Sequence, residues 1–430
     1  MLALADANNF FCSCERIFNP RLENKPVIVL SSNDGCAISR SAEAKALGIR
    51  MGEPWFQVKH QARYKEVVAL SSNFELYGEI SARVMRVLSR HSTRVEAYSI
   101  DECFLDMTHI APEDLLRYAR AMRAEVLQWV GIPVSIGLAP TKTLAKLAAE
   151  CAKKEGVPAK LLRDVLADSA AQRAAGEVWG VGPASARKLQ DQGIRTIADL
   201  TSLPLAVAQK TGGAPLAKTV AELQGRPCFE IQTAHRDPKQ LMSSRSFGKP
   251  VKELTTLQTA VKSFADKCTL RAQRHQVAVQ SVTVYLVARM SDGSRSTLSK
   301  GHQFTRHIDD LELIQTVAAK LTAALFRPGL AYVKAGVLLL DMQATSALQG
   351  SLFEDSSTNI DAQRALVAER MNELTGSELT ADSLAQSNRL LAIAGVQPGS
   401  AFLEDWKPRA ERRTPAFTTS WAELPTAKAS

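Results

Sequence analysis

Three carboxylates on strand-forming sequence constrain this chain more than any other feature. Asp6 closes the apolar run Leu2-Ala3-Leu4-Ala5, and Asp101 and Glu102 stand inside Tyr98-Ser99-Ile100-Asp101-Glu102-Cys103-Phe104-Leu105. Carboxylates in such surroundings are costly to bury unless something positive neutralises them. Side chains alternate across a strand, so a turn or bulge must bring Asp101 and Glu102 into one site. Hard oxygen ligands on several strands are what Mg²⁺ accepts, with substrate phosphates and water completing the shell. Two such ions ~3.5–4 Å apart activate an attacking oxygen and stabilise a leaving pyrophosphate. The competing reading is an ordinary turn at Asp101-Glu102 and a strand-end cap at Asp6.

The surrounding pattern is that of a multidomain α/β (α+β) protein. At ~100–200 residues per domain, 430 residues predict two to four domains. Residues 26–30 read as a buried strand, Asn33-Asp34-Gly35 as a hairpin turn, and 36–38 as the antiparallel return. Ser41 caps a short helix that Gly48 closes. Periodicity predicts helices over 78–90, 115–129 and onward from Thr141, with strands over 95–107 and 133–138. The stretch 165–238 reads as helical. From 241, strands at 277–287 and 331–340 flank an amphipathic helix at 311–326. Beyond Ala344 the chain is richer in Ser, Thr, Asn and Gln and reads as a tail with patchy order.

Charge divides unevenly. Residues 241–343 carry 14 basic and 7 acidic side chains, whereas the chain from Ala344 onward carries 8 and 11. A basic body suggests a polyanion partner, since Lys and Arg release counterions from phosphates; a merely solvated surface is the alternative. No apolar run reaches ~18 residues and the N-terminus lacks a signal-peptide pattern, so a cytoplasmic protein without a membrane partner is expected. Seven cysteines with no C-x-x-C pair point to reduced thiols, not to disulfides or a zinc site.

Basic side chains suited to phosphates lie at Arg40 and Lys45, and at Lys142, Lys146, Lys153 and Lys154 on one helix. Gly180-Val181-Gly182-Pro183, then Arg187-Lys188-Leu189 and Gly193-Ile194-Arg195-Thr196-Ile197-Ala198-Asp199-Leu200, reads as a helix-hairpin-helix. Its glycines let backbone N–H groups approach DNA phosphates; a plain helical turn is the alternative. Gln349-Gly350-Ser351-Leu352-Phe353 offers an apolar pair for docking into a groove.

Taken together, these segments resemble the Y-family translesion DNA polymerases, specifically the UmuC-type catalytic subunits of DNA polymerase V. The resemblance runs nearly the full length. It is carried by Asp6-Ala7-Asn8-Asn9-Phe10-Phe11, Ser32-Asn33-Asp34-Gly35-Cys36, Ala42-Glu43-Ala44-Lys45-Ala46-Leu47-Gly48 and Tyr98-Ser99-Ile100-Asp101-Glu102. Ala139-Pro140-Thr141-Lys142-Thr143-Leu144-Ala145-Lys146, Ser243-Ser244-Arg245-Ser246-Phe247-Gly248 and Pro415-Ala416-Phe417-Thr418-Thr419-Ser420-Trp421 complete it.

The resemblance implies a right-hand polymerase. Its palm would be 1–10 and 75–165, small fingers 11–74, a helix-hairpin-helix thumb 166–238, an α/β little finger 241–343, and a partly ordered tail 344–430 with the clamp-binding peptide. Asp6, Asp101 and Glu102, with the Ala7 carbonyl, would hold two Mg²⁺. Phe11 would be the steric gate beneath the deoxyribose, and Phe10, Arg40, Lys45 and Lys153 would complete the nucleotide site. Gly180, Gly182, Lys188, Arg245 and Lys249 would meet DNA, and Gln349, Leu352 and Phe353 the sliding clamp. Small residues Ser41, Ala42 and Ala44 would roof the base pair loosely. Many members carry Tyr in place of Ala42 and Arg in place of Lys45, a departure pointing to weaker triphosphate contacts or to contacts shared with Arg40. Near relatives often have Tyr where this chain has Phe11.

The implied activity is error-prone, DNA-directed translesion synthesis in the SOS response, on primer-template DNA and deoxynucleoside triphosphates. The implied partners are a UmuD′-type dimer, RecA and the sliding clamp, in a cytoplasmic, nucleoid-associated setting. A non-catalytic DNA-binding adaptor docked on the clamp is the alternative, and a palm-fold nucleotide cyclase a third reading.

Overall fold

The computed structural model describes residues 1–61, 64–233, 238–347, 406–415 and 417–418. The chain divides into two units, Met1–His235 with Glu411–Ser430, and Arg236–Ala410.

The first unit starts with β1 (Leu2–Ala7), which turns through Asn9 at φ 50° into α1 (Phe10–Phe18). Asn tolerates this left-handed conformation better than most residues, so helix follows strand at once. A small sheet of β2 (Val27–Leu30), β3 (Ala37–Arg40) and β4 (Val68–Ser71), in the order β3-β2-β4, carries α2 (Ala42–Ala46) and α3 (Trp55–Val58). Ser41 caps α2 by accepting the Ala44 N–H at 3.3 Å. The chain then forms α4 (Phe74–Leu88), β5 (Val95–Ala97), β6 (Glu102–Asp106), α5 (Leu115–Val130), β7 (Val134–Ala139), α6 (Lys142–Glu155) and β8 (Ala159–Leu161).

The main sheet runs β5-β6-β1-β7-β8, with β1 antiparallel to both neighbours. Alternation sorts its side chains into two layers. Ala3, Ala5 and Leu105 join the core formed with α4 and α5, whereas Leu4 and Phe104 join Leu144 and Ala148 of α6. Gly137 lets α6 lie flat on β7, since a Cβ there would strike the Ala145 and Ala149 backbone. A helical layer follows: α7 (Pro183–Asp191), α8 (Ile197–Thr201) and α9 (Leu205–Leu223), the last kinked at Gly213.

One expectation is corrected. Residues 95–107 are not one strand with the carboxylates in its middle but the hairpin β5–β6. Tyr98 and Ser99 N–H both donate to the Glu102 carbonyl, at 3.0 and 3.1 Å. Asp101 therefore sits on the turn and Glu102 opens β6, the turn that two adjacent carboxylates need to share a site.

The second unit stacks α10 (Leu254–Arg274) and α11 (Leu311–Leu325) on an antiparallel sheet of β9 (Leu241–Val251), β10 (Val277–Arg289), β11 (Arg295–Ile308) and β12 (Ala331–Ala344). The strand order is β11-β10-β12-β9. Trp406 is buried there, edge-on to Phe264 at 5.5 Å. No helix among the described residues is long and apolar enough to cross a membrane.

Candidate active site

Asp6 and Glu102 are register partners across the β1–β6 ladder, and Leu4 pairs with Phe104 two residues on. Both carboxylates therefore project from the sheet face that α6 covers. Asp101 joins them through its carbonyl, which accepts the Ala7 N–H at 2.9 Å, while Ser99 Oγ donates to its carboxylate at 2.6 Å.

Two lysines of α6, seven residues apart on one helix face, meet this edge. Lys153 Nζ lies 2.5 Å from Asp6 Oδ1, and Lys146 Nζ donates to both oxygens of Glu102 at 2.6 and 2.8 Å. The Lys146 ammonium also sits 5.1 Å from the Tyr98 ring centroid and 5.9 Å from that of Trp179. Trp179 Nε1 donates to the Tyr98 hydroxyl at 3.1 Å, tying the helical layer to the hairpin turn. Burial pushes the Asp6 carboxyl up to about 6 against the pull of Lys153, with repulsion from Glu102 and Asp101 added. An all-oxygen donor set, one member of which is short of positive charge, fits a divalent cation.

A positive patch adjoins the carboxylates. Lys45 is held below its ordinary range by desolvation first and then by Arg40 and Lys153 nearby. Arg40 donates through Nη1 to the Ile49 carbonyl at 2.7 Å, while its buried Nε has no hydrogen-bond partner among the described residues. Three cations pressed together favour an anion among them, and a triphosphate suits that need. Phe11, on the first turn of α1, stacks on Tyr77 at 4.5 Å with 15° between the planes, and meets Phe74 edge-on at 5.9 Å. Phe10 is buried in the core below.

Asp6, Ala7, Asp101, Glu102, Arg40, Lys45 and Lys153 are thus gathered in one region, and Phe11 stands on the helix that follows β1 directly. Two other lysines depart from the expectation of a phosphate-facing row. Lys142 is buried against Glu96 at 2.5 Å, and Lys154 pairs with Glu177 at 2.8 Å. Of the three small residues expected on the roof, Ser41 and Ala44 are fully buried; only Ala42 is exposed. Lys146, expected to meet phosphates, pairs instead with Glu102, and Tyr98 and Trp179 join the site without a sequence signal for it. Cys151, Glu155 and Asp168 also bring ligand atoms within 4.8 Å of one another. Lys160, however, already bonds both carboxylates, and Arg173 bonds the Cys151 sulfur.

The expected DNA contacts fall on other elements. Gly180 has φ +90° and a Cβ there would lie 2.8 Å from Thr219 Oγ1, while Gly182 opens α7, on which Lys188 is exposed. In the second unit Arg245 and Lys249 are exposed on β9, with Arg245 beside Lys267, Arg271 and Arg274 of α10. Gln349, Leu352 and Phe353 lie outside the described residues.

The chain matches the impB/mucB/samB family over residues 5–150 and that family's C-terminal domain over 238–352. Residues 176–213 match the fingers domain of DNA polymerase lambda, and 390–427 a domain of unknown function. Protein ImpB of Salmonella typhimurium is 34% identical across 100% of both chains, and Protein UmuC of Salmonella typhimurium is 34% identical across 99% of both. Among solved structures, a Y-family DNA polymerase chimera of Dbh and Dpo4 shares the fold with a TM-score of 0.65 at 24% identity, over 80% of this chain and 99% of its own.

Proposed function

The chain belongs to the impB/mucB/samB family, the UmuC-type Y-family DNA polymerases, and on that footing we propose that Asp6, Asp101 and Glu102 are its catalytic carboxylates. It is a DNA-directed DNA polymerase of error-prone translesion synthesis, dependent on divalent metal and acting on DNA and nucleotides. The observation that carries the residue assignment is the pairing of Asp6 with Glu102 on adjacent strands, with the Asp101 turn beside them.

In this reading residues 1–10 and 75–165 are the palm, 11–74 the fingers, 166–238 the thumb and 241–343 the little finger. Asp6, Asp101, Glu102 and the Ala7 carbonyl would hold two Mg²⁺, which when bound would supply activation of the primer 3′-oxygen and charge neutralisation on the leaving pyrophosphate. Arg40, Lys45 and Lys153 take the triphosphate. Lys153 and Lys146 hold Asp6 and Glu102 in place beforehand and are then free to turn toward phosphate oxygens. Phe11 lies beneath the sugar, where its ring leaves no space for a 2′-hydroxyl, and Phe10 buttresses it from the core. Gly180 and Gly182 present backbone N–H groups to a DNA strand, with Lys188, and with Arg245 and Lys249 of the little finger, adding phosphate contacts.

We extend the proposal to the partners. A UmuD′-type dimer and RecA activate the enzyme, and Gln349-Gly350-Ser351-Leu352-Phe353 docks on the sliding clamp, in the cytoplasm at the nucleoid. Primer extension by the purified chain, with and without those partners, tests the assignment. Extension that requires Asp101 supports it, whereas primer binding without any extension under all conditions supports the adaptor.

A further inference from the structure

Behind Phe11 lies a hydrogen-bonded chain that no part of the polymerase chemistry uses. Glu15, one turn along α1, is 1% exposed, and its Oε1 accepts the Tyr77 hydroxyl at 2.7 Å. Tyr77, on α4, is fully buried and is the ring on which Phe11 stacks. The other donor to Glu15 Oε1 comes from the far end of the sequence, Thr414 Oγ1, at 3.3 Å. Glu15 Oε2 is buried with no hydrogen-bond partner among the described residues, so this carboxyl has few donors to spare.

The segment bearing Thr414 is fixed on both elements that hold the Phe11–Tyr77 stack. Arg412 exchanges two hydrogen bonds with Ser71, at the end of β4: its N–H donates to Ser71 Oγ at 2.9 Å, and its carbonyl accepts the Ser71 N–H at 3.1 Å. Asn73 is fully buried. Its side chain caps α4 at Leu76 and gives its amide to the Thr414 carbonyl, the Thr414 hydroxyl and the Pro415 carbonyl, at 3.1–3.3 Å. Arg413 reaches Glu75 at 2.6 Å, and Phe417 stacks on Phe18 at the other end of α1, 4.7 Å between centroids and 7° between planes. The segment thus ties α1 to the start of α4, and the Phe11–Tyr77 contact spans the same two helices.

We propose that this C-terminal segment is a brace for sugar selection: Thr414, through Glu15 and Tyr77, positions the Phe11 ring. The proposal rests on the reading of Phe11 as the sugar gate. Thr414, Glu15 and Tyr77 are positioning residues that touch no substrate. A ring with freedom to tilt leaves space for a 2′-hydroxyl, so loss of the brace lowers discrimination and leaves deoxynucleotide turnover nearly intact.

The test uses the full chain and measures the ratio of kcat/KM for a deoxynucleotide to that for its ribonucleotide. Thr414→Val removes the hydrogen bond to Glu15 and the one from Asn73; each is worth ~0.5–1.5 kcal/mol, and the one to Glu15 alone is expected to lower the ratio ~2–10-fold. Deoxynucleotide kcat should stay within about twofold, and Thr414→Ser should restore the ratio. Thr414→Val combined with Phe11→Ala should discriminate no worse than Phe11→Ala alone, because the two act through one ring. A wild-type ratio in folded Thr414→Val, or additive losses in the double variant, overturns the brace. A wild-type ratio in Phe11→Ala overturns the gate itself, a separate failure that takes the brace with it. Should Thr414→Val not fold, Phe417→Ala, at a partly exposed stack, serves in its place with the same expected loss, and an unchanged ratio there overturns the proposal.

Discussion

Asp6 and Glu102 face each other across an antiparallel ladder, each held by a lysine of the same helix, Lys153 and Lys146. Two carboxylates on one sheet face repel, and burial adds to the cost. Burial pushes the Asp6 carboxyl up to about 6 even with Lys153 against it, and repulsion from Glu102 and Asp101 adds to the rise. The arrangement makes sense as a cation site kept in shape by ammonium groups that can be displaced.

A pH dependence follows. Divalent ions bind ionised carboxylates, so binding must remove the proton that Asp6 holds below about pH 6. Titration calorimetry with Mg²⁺ should show affinity rising from pH 5 to pH 7, with proton release detected as a buffer-dependent enthalpy. Affinity flat across that range would contradict the assignment of Asp6.

Phe11→Ala should admit ribonucleotides. On the proposed gate role the selection is steric, since Phe offers shape and no hydroxyl. The ratio of deoxy- to ribonucleotide incorporation checks this, and an unchanged ratio removes Phe11 from the role.

Glu15 offers a stability test separate from catalysis. Burial raises its carboxyl above the ordinary range, so the folded state holds a proton that the unfolded chain releases. Its contribution to stability is therefore present below the unfolded pKa and lost as pH rises through the folded one. Glu15→Gln should melt higher than wild type at pH 7–8, with the gap closing toward pH 4. A gap that widens on acidification would contradict this.

The clamp peptide gives a fourth expectation. Replacing Leu352 and Phe353 with Ala should leave melting unchanged and remove clamp-stimulated synthesis, because tethering raises effective concentration without new DNA contacts. Equal stimulation of a folded variant would reject the docking role.

The sequence shows some of this plainly and hides the rest for physical reasons. The apolar run ending in Asp6, the Ser41 and Thr141 caps and the Gly48 end are local signals, and the elements they bound are found. The Tyr98–Asp101 turn is hidden because Tyr98 and Ile100 alternate with polar residues as in a half-buried strand, whereas the two N–H bonds to the Glu102 carbonyl make it a turn. Lys142 and Lys146 look alike on one helix, yet the first is buried against Glu96 and the second faces Glu102. Helix rotation relative to the sheet decides that, and no periodicity encodes it. The contact of Thr414 with Glu15 joins the two ends of the chain, where local pattern carries no information.

The central claim is that Asp6, Asp101 and Glu102 carry nucleotidyl transfer, and single-turnover primer extension by Asp101→Ala beside a DNA-binding measurement tests it most directly. Loss of a metal ligand removes several kcal/mol of stabilisation from the transition state, so extension should fall ~10³-fold or more. Primer-template affinity should stay near wild type, because the proposed grip on DNA comes from phosphate contacts elsewhere in the chain. Extension at the wild-type rate would contradict the account.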